Sequence, residues 1–272
     1  MRWIHPCMAL LLCACTAAGT AGRAPGALGD LPATFRGTLP CADCPGIDYH
    51  LNLFQDGSYY LRTRYRDRTG GPFDGIGRFL VSSDGALVSL HGGREAALRF
   101  VIEDKASLRL MGMDGNAILS ELNYSLQRQA ALEPFAPRLM LRGMYRYMAD
   151  AARFTECLTG RDMQVAMEAD NAALERAYLD ARVAPGAPVL ASVKGQIAQR
   201  MPMEGPGPVD TLVPERFIGI FPGETCGAPL ERPPPVATRW RATQLARGTL
   251  IDAAGVIAQR FEAMSASEEA YP

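Results

Sequence analysis

The feature that most constrains this chain is a set of Asp-Gly pairs placed between short runs in which apolar and polar residues alternate. Ile47, Tyr49, Leu51 and Leu53 alternate with Asp48, His50 and Asn52; Asp56-Gly57 follows, and Tyr59, Leu61, Thr63 and Tyr65 alternate again. A period of two sends successive side chains to opposite faces of a strand. Asp-Gly between two such runs is a strong hairpin signal, because glycine accepts the positive φ that a tight reversal needs. Asp84-Gly85 and Asp114-Gly115 repeat the punctuation. Strands are expected at 33–39, 47–54, 58–65, 73–81, 86–91, 97–103, 106–112 and 117–126. Eight strands linked in succession can pair first to last and leave no free edge. A mainly β chain is expected, opening with an eight-stranded up-and-down barrel over 31–128; a sandwich is the alternative.

At 272 residues there is room for a second domain, since single cores commonly take about 100 residues or more. It begins after Pro134 and Pro137 and is expected over 138–228. Strand-like runs at 139–148, 154–158 and 163–167 precede Asp170, which is placed to cap a helix with Leu174, Ala177, Tyr178 and Ala181 on one face. Pro185-Gly186 stops that helix, and runs at 189–201 and 212–221 follow. Five strands with one helix after the third is the order of an OB-type barrel. Beyond it Pro233-Pro234-Pro235 makes a stiff spacer. The tail to 272, with Trp240 and the acidic Glu268 and Glu269, carries no pattern that decides its fold.

The N-terminus reads differently. Met1-Arg2 precedes an apolar run from Cys7 to Ala14; the run is far short of the roughly 20 residues that span a bilayer and has the length of a secretory signal core. Leu12-Cys13-Ala14-Cys15 resembles the bacterial lipobox, although Cys13 departs from the small residue usual at its place. That resemblance implies removal of 1–14 and acylation of Cys15, with palmitate-type chains making a durable membrane anchor. The plainer alternative is an ordinary signal peptide cut elsewhere. Thr16, where Asp would favour inner-membrane retention, implies an outer-membrane address facing the periplasm. Residues 15–30, rich in Gly and Ala, read as a flexible tether of roughly 20 Å reach.

Export leaves Cys41, Cys44, Cys157 and Cys226 in an oxidising compartment, which suggests two disulfides. Three pairings are open, and spacing favours Cys41 with Cys44 and Cys157 with Cys226. The second would close a long loop, adding roughly 4 kcal/mol on the chain-entropy account. Such a bond could make the second domain a reporter of oxidative folding, or be a simple stabilising bridge.

Cys41-Ala42-Asp43-Cys44 is the sharpest chemical motif. A redox catalyst needs its cysteine at a helix N-terminus, and here Pro45-Gly46 follows between two strands. Two thiolates suit Cu(I), with Met111 and Met113 as further soft donors, but core packing is the simpler reason for methionines on a hairpin. His50 and His91 lack ligand-like spacing, so no cofactor is expected beyond that copper contact. A local disulfide pinning the loop is the plain reading. Tyr145, Arg146 and Tyr147 could face an oligonucleotide, but ordinary strand packing explains them, and a net charge of −1 supplies no broad basic footprint. Asp150, Glu156 and Glu103-Asp104 read as solvated loop acids; no catalytic set stands out, and the chain reads as a non-enzyme.

Two blocks carry a family resemblance. FRGTLPCADCPGIDYHLNLFQDGSYYLRTRY (35–65) resembles the N-terminal domain of the NlpE copper-resistance lipoproteins. LRGMYRYMADAARFTECLTG (141–160) and NAALERAYLDARVAPGAPVLASVKG (171–195) resemble the C-terminal domain of that family. The resemblance implies an outer-membrane lipoprotein with a lipocalin-like barrel followed by an OB-fold, active in surface sensing, copper tolerance and the Cpx envelope-stress response. Its implied partners are the periplasmic domain of a sensor kinase and the lipoprotein-export and disulfide-forming machineries. Two alternatives remain: a carrier whose barrel interior, with Tyr49, Leu51, Tyr59, Leu61 and Phe79, holds a small apolar ligand, and a Cu(I) buffer.

Overall fold

A computed structural model of the chain describes residues 26–92, 97–149, 151–181, 183–202 and 205–227. Cys15, the signal at 1–14, the first part of the expected tether, Asp150 and the tail with Trp240, Glu268 and Glu269 lie outside the described residues.

The first barrel consists of β1 (Ala33–Leu39), β2 (Ile47–Leu53), β3 (Ser58–Tyr65), β4 (Phe73–Val81), β5 (Leu87–His91), β6 (Leu98–Asp104), β7 (Ser107–Leu110) and β8 (Ser125–Arg128). Each pairs antiparallel with the next, and β8 returns to β1 with Phe35 opposite Arg128, closing the sheet. The Asp-Gly pairs make the reversals. Gly57, Gly85 and Gly115 all hold positive φ, while Asp56, Asp84 and Asp114 accept the amides of Ser58, Ala86 and Asn116. Glycine supplies the left-handed residue and the carboxylate ties the turn two positions on.

The lumen is filled. Phe35, Leu51, Leu53, Leu90, Phe100 and Leu108 are buried in one cluster with Tyr59, Leu61 and Phe79, and Tyr49 packs against it. Side chains thus take up the interior, as in other small eight-stranded barrels, and the carrier reading loses the space it requires. Leu28 is buried in the same cluster, and the Arg128 guanidinium holds the carbonyls of Leu28 and Asp30. The end of the expected tether is therefore fixed on the barrel: one buried leucine outweighs the freedom implied by its small neighbours.

The eighth strand differs from expectation. It is four residues long, and in 116–124 the ladder is reduced to a bridge between Met111 and Ala117 and the Leu110 amide on the Tyr124 carbonyl. Side chains there capture the backbone groups a ladder would use. Ser120 Oγ accepts the Leu122 amide, Asn123 Oδ1 accepts that of Ser125, and Arg109 donates to the carbonyls of Ile118 and Ser120. Met113, expected in the core, is 96% exposed in the Asp114-Gly115 turn that precedes this segment.

The second barrel holds β9 (Arg138–Met148), β10 (Ala151–Glu156), β11 (Asp162–Val165), α1 (Asn171–Asp180), β12 (Val189–Arg200) and β13 (Val209–Phe221). It closes in the order β10-β11-β13-β12-β9, with β11 and β13 parallel. This is the OB-type arrangement, with its helix between the third and fourth strands. Leu174 and Tyr178 of α1 are buried, and Tyr178 meets Tyr145 edge-on at 5.4 Å. Asp170 stands at the helix start but makes no side-chain cap; its carboxylate accepts the Phe217 amide of β13 instead. Tyr145 is fully buried, so it offers no stacking surface to a nucleic acid.

The segment between the barrels is held at several points. Glu133 donates its amide to Thr34 Oγ1, and its carbonyl accepts from Asn52 Nδ2 and from His50 Nε2. Thr34 and Asn52 are buried and bond each other at 2.7 Å. Phe135 packs between His50 and Arg62. Tyr60 and Ile76, on the outside of the first barrel, share one apolar cluster with the core residues of the second.

Candidate functional site

Cys41 and Cys44 lie in the loop between β1 and β2 and are joined by a disulfide. Arginines from the far end of β3 hold this loop. Arg68 pairs with Asp43, and Arg66 bonds both Asp48, at 2.9 Å, and Thr38. Burial works against ionisation of Asp48, but hydrogen bonds from Arg66 and Thr38 outweigh it and keep its carboxyl below the usual range. The sulfurs of Cys41 and Cys44 and a carboxylate oxygen of Asp43 lie within 4.8 Å of one another. Bonded to each other, the sulfurs are not thiolates, and the carboxylate is engaged by Arg68. As it stands, this donor set does not fit Cu(I), which calls for reduced thiolates. The chain runs from Gly46 into β2 and not into a helix, so no dipole acts on either sulfur.

Cys157 and Cys226 form a second disulfide, 69 positions apart in sequence. Cys157 directly follows β10, where the buried Glu156 carboxylate accepts the amides of Leu158 and Thr159 and the Thr159 hydroxyl. This turn ends β10 before Leu158, short of the expected strand. It also carries two contacts to the first barrel: Arg78 donates to the Thr159 carbonyl at 2.8 Å, and Arg161 reaches across.

Arg161 is the centre of the junction. Its Nε donates to Asp56 Oδ2 at 2.8 Å and its Nη1 to the Tyr60 hydroxyl at 2.8 Å, while Nη1 also pairs with Asp210. Tyr60 donates to Asp210 at 3.0 Å. Burial, with Asp210 beside it, raises the Tyr60 phenol above its ordinary value; for Arg161, burial pulls the other way but Tyr60, Asp56 and Asp210 overcome it and bind the proton more firmly. Asp56 is likewise desolvated, yet Ser58 and Arg161 hold its carboxyl low. A cleft of about 430 Å³ opens beside this group, bordered by Asp56, Arg153, Arg161, Asp162, Gln164 and Asp210.

Sequence reasoning singles out the cysteines and misses this cluster. The partners of Arg161 lie 49, 101 and 105 positions away, and Asp56 reads only as a turn residue. His50 and His91 prove unrelated to Cys41 and Cys44. His50 holds the linker, and His91 Nε2 is buried without a partner.

Two closed barrels, one lipocalin-like and one OB-type, joined by a bound linker and a charged junction, define the architectural class. The sequence pattern of the NlpE N-terminal domain matches residues 35–121, and that of the NlpE C-terminal OB domain matches 136–227. Lipoprotein NlpE of Escherichia coli (strain K12) is 36% identical over 200 residues, covering 73% of this chain and 82% of that protein. The chain belongs to the NlpE family of lipoproteins, as its two motif blocks suggest. A crystal structure of the Cpx pathway activator NlpE from Escherichia coli is similar at 35% identity and a TM-score of 0.32, covering 72% of this chain and 98% of that one. A lipoprotein structure from Shewanella oneidensis is similar at 28% identity and a TM-score of 0.33, covering 38% and 92%.

Proposed function

We propose that this chain is a lipid-anchored outer-membrane protein, held through Cys15 and facing the periplasm, that signals envelope stress by contacting the periplasmic domain of a sensor kinase. One observation carries the reading: both family patterns occur in order, over 35–121 and 136–227, and the relative they lead to is a lipoprotein whose structure is that of a Cpx pathway activator. The physical account needs no catalysis. Acyl chains set where the barrels are, the disulfides set their shape, and a change in either location or folding alters which surfaces a sensor can reach. The Cys157–Cys226 bond makes the second barrel depend on disulfide-forming machinery. The test is overexpression in a host with a Cpx-type reporter, comparing the intact chain with Cys15→Ala. The intact chain should raise the reporter and the variant should change that output; silence from both rejects the reading.

The close approach of Cys41, Asp43 and Cys44 favours a second activity, a Cu(I) contact formed once the disulfide is reduced. Native mass spectrometry of the reduced chain with Cu(I) should give a one-copper adduct that Cys41→Ser abolishes. No adduct rejects it.

A further inference from the structure

Arg161 belongs to the second barrel, yet most of what surrounds its guanidinium belongs to the first. The Phe54 ring centre lies 4.4 Å from the guanidinium carbon and that of Tyr60 5.3 Å. Asp56 and the Tyr60 hydroxyl each accept one of its N–H groups at 2.8 Å. All three residues come from one hairpin, at the end of β2, the Asp-Gly turn and the start of β3. The hairpin shapes them without help from Arg161: Phe54 and Tyr60 meet edge-on at 4.9 Å, and Asp56 is tied to the amide and hydroxyl of Ser58. Two aromatic rings and a carboxylate around a planar fork is the chemistry that recognises arginine in preference to lysine.

We propose that this hairpin is a guanidinium-binding site, closed in cis by Arg161, which accepts an arginine side chain presented by another protein when the barrels part. The exchange does not strand a charge. Arg161 is also paired with Asp210 of its own barrel, so on separation it keeps a carboxylate and loses Asp56, Tyr60 and Phe54. Breaking a buried pair is severe only when one ion is left uncompensated. Asp56 keeps 45% of its side-chain surface in solvent, and the cleft beside it gives an incoming side chain a route. The occupant is set by complementarity: the hairpin offers a single carboxylate and two π faces, and a lysine or apolar side chain leaves the fork of acceptors unused. The signalling reading bears on which protein presents the arginine, and not on whether the site exists.

The test uses the purified full chain with N-acetyl-arginine amide as the probe, followed by NMR. Arg161→Ala should bind it saturably at the Phe54–Tyr60 hairpin. The unaltered chain should bind about tenfold or more weakly, because a tethered competitor acts at high effective concentration. Adding Phe54→Ala to Arg161→Ala should weaken binding by about tenfold, the worth of one desolvated aromatic face. A folded Arg161→Ala chain that shows no saturable shifts overturns the proposal, as does an affinity unmoved by Phe54→Ala or Asp56→Asn in that background. Should Arg161→Ala not fold, Arg161→Lys keeps the charge and loses the fork. It too should bind the amide more tightly than the unaltered chain, and equal affinity overturns the proposal.

Discussion

Arg62 on β3 and Asp74 on β4 face each other in two parallel hydrogen bonds of 2.7 Å, Nε to Oδ1 and Nη2 to Oδ2. The pair is also the grip of the first barrel on the second. Arg62 donates to the Ala136 carbonyl and covers the Phe135 ring, while Asp74 Oδ2 accepts the amide of Arg138, the first residue of β9. The Asp74 side chain is 2% exposed. Asp74→Ala leaves a half-buried cation without its partner and an amide without its acceptor, so it should destabilise the chain by about 2–4 kcal/mol. Urea unfolding measures this; a change within about 0.5 kcal/mol, the scatter of ordinary surface substitutions, would contradict it.

The two disulfides should differ in what they stabilise. Joining residues 69 positions apart restricts an unfolded chain far more than joining residues three apart. Chain-entropy arithmetic gives about 4 kcal/mol for the long loop and about 2 kcal/mol for the short one. Replacing Cys157 and Cys226 by Ser should therefore cost more in denaturant unfolding than replacing Cys41 and Cys44. The larger loss should fall on the second barrel, read from amide exchange in β9 and β12. The reverse order would mean that local loop geometry, and not chain entropy, governs both bonds.

What was legible in the sequence was local. Alternation with Asp-Gly punctuation placed seven of the eight first-barrel strands because each signal lies within a few residues of what it shapes. The eighth strand was lost because Ser120, Asn123 and Arg109 compete for backbone groups, which a count of alternating residues does not register. Asp170 carries a capping residue's chemistry, but a strand amide 47 positions away claims its carboxylate. The Arg161 cluster was invisible for the same reason: each of its residues is ordinary in its own neighbourhood, and only the docking of two barrels assembles it.

Acid should weaken the fold in a window set by histidine. Burial is the largest cause that lowers His50 and His91 below 6.5; for His50 the Glu133 carbonyl opposes it, while Arg36 and Arg62 add to it. A histidine depressed in the folded state takes its proton more readily when unfolded. Its stabilisation is complete above about pH 6.5 and fades as pH falls through the lower folded values. Asp48 and Asp56 are lowered from 3.8, so their contributions fade only in stronger acid. Unfolding free energy should thus decline as pH falls below about 6.5 and before the carboxylates titrate. His50→Gln, which keeps a donor for the Glu133 carbonyl, should remove part of that slope. A flat profile over this range would refute the assignment.

Gly143 and Gly75 make a matched pair for asking why a strand holds glycine. Gly143, in β9, stands opposite Glu156 of β10 and Ala191 of β12. A Cβ there would fall 2.4 Å from Phe154 Cε1 and 2.5 Å from the Thr155 carbonyl oxygen, closer than any carbon is tolerated. Phe154 is fully buried, so it has nowhere to retreat without opening the core of the second barrel. Gly143→Ala should cost about 2–3 kcal/mol, as overpacking does in close-packed interiors. At Gly75, in β4, an added Cβ meets nothing within 4 Å. Gly75→Ala relieves the unfolded chain of glycine's extra freedom, so it should be neutral or stabilise by up to about 1 kcal/mol. Thermal unfolding of the two variants decides the matter. Equal effects would mean that backbone entropy accounts for both glycines, and that contact with Phe154 does not select the residue at 143.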